Sequence, residues 1–174
     1  MTVRHSPLEG IATFVASIPL QAREAAGGKS DLRAEIDSDG FMLIRGKSFE
    51  RIFTRSTRIA PTGILHAARL FSQTDGVIIR DMMRERGLTG ISPRQLRTAI
   101  GVHATGKTKC LSEESSAANL CFSMSPTGTE YALRVSRTAP GRWLVSIPDA
   151  DAPYRCGGMW AAGTIVLCLE PDKT

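Results

Sequence analysis

Long apolar runs are missing from this chain: none approaches the roughly 20 residues that a helix needs to cross a bilayer. Close cysteine pairs are missing too. No two cysteines stand two residues apart, which removes zinc-ribbon and thioredoxin-type spacings. Histidine is scarce, with three in 174 residues. A metal site would have to join His103 to distant cysteines, whereas structural zinc sites draw their ligands as close pairs. No metal or cofactor is therefore expected. The patterns G-x-S-x-G, H-E-x-x-H and S-x-x-K do not occur, so no catalytic residue is nominated and an enzyme is the lesser expectation. "DSDG" lacks the remaining ligand positions of a calcium loop. Internal repeats and low-complexity linkers are also absent.

What is present suits one α+β domain over residues 1–174. Hydrophobic content of 42% and charged content of 22% are ordinary for a globular protein. The net charge is +5, unevenly spread: residues 45–97 carry eleven Lys or Arg against four Asp or Glu, a local +7 that leaves −2 elsewhere. Such a segment attracts nucleic acid, acidic lipid or an acidic partner. A sub-boundary is expected near 101–109, with 1–100 mostly helical and 110–174 rich in strands.

Local signals give the order of elements. "SPLE" reads as a capping box, with Ser6 as N-cap, Pro7 at N1 and Glu9 at N3. Leu8, Ile11, Val15 and Ile18 follow at helical spacing, so an amphipathic helix is expected there rather than a signal peptide, ending near Gly27–Gly28. A turn at Asp37–Gly40 precedes a short strand from Phe41 to Ile44. "APTGILHAARLF" predicts a helix with Ile64, Leu65, Ala68 and Phe71 on one face. "GVIIRDMMRERG" predicts another, with Ile78, Ile79, Met82 and Met83 inward and Gly87 as its stop. A second capping box, Ser92 with Gln95, opens a helix that closes near Gly101. Then the period changes from 3.6 to 2. "TEYALRVS" and "WLVSI" alternate around Pro140–Gly141 as a hairpin, and "GTIVLCLE" reads as a last strand buried on both faces. The expectation is a helical N-terminal half followed by an antiparallel sheet in the C-terminal half.

Cys110, Cys121, Cys156 and Cys168 all fall in the last 65 residues. They divide into two local pairs, each closing a loop of about a dozen residues worth roughly 3 kcal/mol as a disulfide. Two local disulfides are the expectation, and with them a periplasmic, cell-surface or secreted location. Buried free thiols, and with them a cytoplasmic location, are the alternative.

Two motifs bear on function. Gly101 to Thr108, "GVHATGKT", matches the phosphate-loop pattern, in which Gly101, Gly106, Lys107 and Thr108 would surround a nucleotide phosphate, with Glu170 as a distant Mg²⁺-linked acid. The strand that such a loop follows is replaced here by a predicted helix. The helices flanking "LTGI" suggest a helix-turn-helix with the hairpin as a wing. Arg80, Arg84, Arg94, Gln95 and Arg97 are then candidate contacts to nucleic acid or to an acidic partner. The first expectation is a non-enzymatic interaction or structural module of the envelope or extracellular space, comparable to pilin-like or secretion-assembly subunits. Its partner would be another protein or a second copy. A winged-helix DNA-binding protein and a small phosphate-loop enzyme are the alternatives.

Overall fold

The strand read from "GTIVLCLE" explains the architecture. In the computed structural model, which describes residues 5–20, 42–53 and 61–173, nine strands occur, and this is the last of them, β9 (Ile165–Pro171). Ile165, Leu167 and Leu169 point to one side, Val166 and Cys168 to the other, and all five are 0% exposed. A strand apolar on both sides needs a layer on both sides.

The chain supplies those layers around one seven-stranded sheet, ordered β1-β3-β9-β5-β6-β7-β2. The strands are β1 (Ala12–Leu20), β2 (Met42–Arg45), β3 (Gly63–Leu70), β5 (Asn119–Met124), β6 (Glu130–Ala139) and β7 (Arg142–Ser146), with β9 near the centre. The pairs β5/β9 and β7/β2 are parallel, and the others are antiparallel. Two further strands, β4 (Thr74–Asp75) and β8 (Met159–Trp160), form a separate small ribbon.

Helices α1 (Lys47–Phe53) and α3 (Pro93–Ala104) cover one face, through Phe49, Phe53, Leu96, Ala99 and Ile100. Helix α2 (Gly76–Glu85) covers the other, where Ile79 and Met83 pack with Trp160, Phe122 and Val166. Helix α3 starts where its capping box predicts: Gln95 N donates to Ser92 Oγ at 3.1 Å and Ser92 N donates to Gln95 Oε1 at 2.8 Å. Asp75 caps α2 in the same manner, accepting from Val77 N at 2.8 Å, and Gly87 follows that helix at φ +69°. The hairpin β6/β7 turns at Gly141, φ +69°.

The expected plan of a helical N-terminal half and an antiparallel C-terminal half is wrong. The described residues form mostly mixed sheet with three short helices, and two predicted helices are strands. The first, expected from "SPLE" onward, is a single turn leading into β1. Ser6 Oγ does accept a backbone N–H, from Leu8 at 3.2 Å, and Leu8 O accepts from Ile11 and Ala12. Gly10 then takes φ +102°, which no helix continues. The β-branched Thr13, Val15 and Ile18 favour strand, and Pro19 is tolerated because β1 is an outermost strand of the sheet among the described residues. The second misread helix, "APTGILHAARLF", is β3. Its apolar residues fit either period because the strand is buried on both faces: Leu65 and Ala67 pack on one, Ala68 and Leu70 on the other. At Gly63 a side chain would overlap the Glu170 carbonyl of β9, which is why glycine opens this strand. The expectations at Gly27–Gly28 and Asp37–Gly40 lie outside the described residues.

The disulfides are absent as well. All four cysteines are free and buried. Cys110 Sγ is turned to the Ala99 carbonyl at 3.5 Å, and Cys156 Sγ to the Tyr154 carbonyl at 3.7 Å. Cys121 and Cys168 lie inside central strands as small apolar side chains. With no cross-link present, the cysteines carry no information on compartment. No helix among the described residues is long and apolar enough to cross a membrane.

Candidate functional site: a cleft where two parallel strands part

Parallel strands β5 and β9 pair at Asn119–Cys121 with Ile165–Leu167 and then separate. The segment Thr89–Ile91 enters the gap. Thr89 exchanges two backbone hydrogen bonds with Leu169, at 2.8 and 2.9 Å, and Ile91 N donates to the Phe122 carbonyl at 2.8 Å. Gly90, between them, lies so close to the Phe122 carbonyl that a side chain would overlap it. In open α/β sheets, ligand crevices form beyond the carboxyl ends of strands where neighbours part. Here too a cavity of about 400 Å³ opens at that end.

Met83, Leu88, Ile91, Phe122 and Met124 make the cavity apolar. One wall, from α2, adds Arg80 and Arg84, and β6 adds Glu130. Arg84 donates to Glu130 Oε1 at 2.9 Å, a pair that is partly exposed and worth about 1 kcal/mol or less. Arg80 donates to its neighbour Asp81 at 3.1 and 3.2 Å. Burial pulls the Arg80 guanidinium down, but the Asp81 hydrogen bond and nearby acidic groups outweigh it, so its pKa is raised and it stays charged. Among the described residues, the polar side chains of the lining are Arg80, Arg84, Thr89, Ser92, Gln95 and Glu130, and Ser92 and Gln95 are committed to the cap of α3.

Of the candidate contact residues, Arg80, Arg84 and Gln95 meet at this cleft. Gln95 is fully buried, its Oε1 on Ser92 N and its Nε2 on the Pro61 carbonyl at 2.8 Å, so it shapes the wall and cannot reach a base edge. Arg94 is exposed and Arg97 half-buried on α3, away from the lining. Helices α2 and α3 lie on opposite faces of the sheet, and the hairpin β6/β7 lies within it. The helix pair and wing of a DNA reader are therefore not assembled.

The phosphate-loop match falls on the wrong end of a helix. Gly101 is inside α3, and Thr105 and Gly106 spend their N–H groups on the carbonyls of Gly101 and His103, at 3.0 and 3.1 Å. A helix C-terminus carries partial negative charge, which repels phosphate. Lys107 and Thr108 follow it in a loop. Glu170 is hydrogen-bonded to His66 Nε2 at 2.9 Å.

His103, 1% exposed, has a structural task. Its Nδ1 accepts from Cys110 N at 3.2 Å and Leu111 N at 3.1 Å, and its Nε2 is 2.8 Å from Glu113 Oε1. Glu113 also receives Arg137 at 2.9 Å. The hydrogen bond from His103, helped by Arg137 and Lys109, holds the Glu113 carboxyl below its usual range against the opposing effect of burial. Among the described residues, no group of three or more His, Cys, Asp or Glu is placed to hold a metal ion.

These features define a mixed seven-stranded sheet with helices on both faces and an amphipathic cleft at one end. Comparison with known protein families, curated proteins and solved structures found no match to this chain.

Proposed function

We propose that the protein is an interaction module whose cleft receives an acidic, apolar-tipped segment of a partner protein. One observation carries this reading: an apolar cavity of about 400 Å³ is bordered on one wall by two arginines. A volume of that size is in the range that takes a drug-sized ligand or a few side chains. Arg84 spends one N–H on Glu130 and keeps the rest of its five-donor fork for an incoming carboxylate.

Fluorescence anisotropy with labelled pentapeptides, each pairing Leu or Phe with Asp or Glu, tests it. Acidic peptides should bind, and affinity should fall as salt rises. Arg84→Ala should weaken binding about tenfold, the worth of one charge-assisted hydrogen bond. Met124→Trp, which fills the cleft, should abolish it. Equal binding of Lys-bearing peptides, or indifference to Arg84→Ala, would refute the proposal.

A further inference from the structure

Outside the cleft lining, three polar side chains meet on one face of β1, β3 and β9: Ser17 stands opposite His66, whose partner on β9 is Cys168, and Glu170 is one rung further along. Ser17 Oγ is 3.0 Å from His66 Nδ1, and His66 Nε2 is 2.9 Å from Glu170 Oε2. None of the three lines the cleft. With Nε2–H donating to the carboxylate, Nδ1 is left to accept from the serine hydroxyl. This is a nucleophile, a base and an orienting acid in hydrogen-bond sequence.

A β-bulge brings Ser17 to His66. Phe14 pairs with Ala68, but Ala16 pairs with Ala67, so Val15 is the extra residue and the register slips by one. Without the slip, Ser17 would face Leu65; with it, Ser17 stands opposite His66. Bulges of this kind re-aim side chains and are frequent beside active sites. The next rung along the same face is Pro19, Ile64 and Glu170. Pro19 is exposed and Ile64 is 40% exposed, which leaves an apolar shelf beside the hydroxyl. His66 keeps its side chain 14% exposed, reachable from solvent.

We propose that Ser17 is a catalytic nucleophile for short-chain, uncharged carboxylic esters, with His66 as its base and Glu170 as the residue that positions the imidazole. In the first step Ser17 Oγ bonds to the acyl carbon and the ester C–O bond breaks. The hydroxyl proton passes to His66 Nδ1 and on to the departing alkoxide, releasing an alcohol. In the second step water attacks the acyl-serine, His66 takes a water proton and returns it to Ser17, and a carboxylic acid leaves. Glu170 steadies the imidazolium in both steps. The acyl chain lies on Ile64 and Pro19, an exposed apolar surface that suits an uncharged chain.

The test uses the full chain with p-nitrophenyl butyrate, read as nitrophenol release and as intact mass. Wild type should show a burst and one butyryl group on Ser17. Ser17→Ala should lose the adduct and at least about 100-fold of the rate, as should His66→Gln. Glu170→Gln should lower kcat more than it raises KM, because it acts through His66. Thermal unfolding of each variant separates lost chemistry from lost fold, and Ser17→Ala removes only a half-buried hydroxyl. A butyryl group on another residue, hydrolysis unchanged in Ser17→Ala, or no hydrolysis above that of free imidazole would overturn the assignment.

Discussion

Replacing Gly90 with alanine should do far more damage than one methyl group suggests. An alanine Cβ would overlap the Phe122 carbonyl oxygen and sit 2.8 Å from its carbonyl carbon. These neighbours are backbone in the middle of a sheet, so no side chain can swing aside. The wedge must back out of the gap between β5 and β9. That breaks three backbone hydrogen bonds, two between Thr89 and Leu169 and one from Ile91 to Phe122. At about 1 kcal/mol net for each, the loss is about 3 kcal/mol. For a domain of this size that lowers Tm by roughly 6–12 °C. Gly87→Ala is the control: Gly87 is at φ +69° with nothing near its missing side chain, so only left-handed strain of about 1 kcal/mol applies. Circular-dichroism melts and urea titrations of both variants decide the matter. If Gly90→Ala stays within about 0.5 kcal/mol of wild type, or is no worse than Gly87→Ala, the wedge does not hold the two strands as described.

Burial pushes the thiols of Cys110 and Cys168 up to about 12 and that of Cys121 higher still, so the folded protein should resist iodoacetamide at pH 8. Four alkyl groups should appear after denaturation without reductant, and fewer than four would mean a cross-link. His103→Ala leaves two buried N–H groups without an acceptor and should cost about 3 kcal/mol in urea unfolding; a loss under about 1 kcal/mol would refute its role as a staple. Because the Glu113 pKa is depressed in the fold, its stabilisation is full above the ordinary carboxylate value and is lost as pH falls through the lower one. Glu113→Gln should therefore flatten the acid limb of the stability–pH curve, and an unchanged limb would show that other carboxylates set it. Ser123 Oγ is buried with no hydrogen-bond partner among the described residues, so Ser123→Ala should be neutral or stabilise by up to about 1 kcal/mol, measured by urea midpoint. A clear loss would show that the hydroxyl does have a partner.

Some of this protein was legible residue by residue. Gly87 stops α2, and Ser92 with Gln95 opens α3, because caps act within one turn of chain. Alternation around Gly141 marks β6/β7, and the unbroken apolar run of β9 announces a strand covered on both sides. The basic residues of α2 were visible as candidates for the same local reason, although the apolar half of their cleft was not. The tertiary structure decided the rest. "ATFVASIPL" and "GILHAARL" satisfy a helical stripe as well as they satisfy a strand, and only their pairing with each other and with β9 selects the strand. The cysteines stand at spacings that suit disulfides, yet each is packed separately as an apolar side chain, and no spacing encodes that. The cleft depends on Thr89–Ile91 entering between two strands that are far away in sequence. The meeting of Ser17 with His66 depends on a one-residue slip in register. Caps and periodicity are local and can be read along a chain; register, the parting of strands and the company a side chain keeps are set by non-local contacts that form only when the sheet assembles.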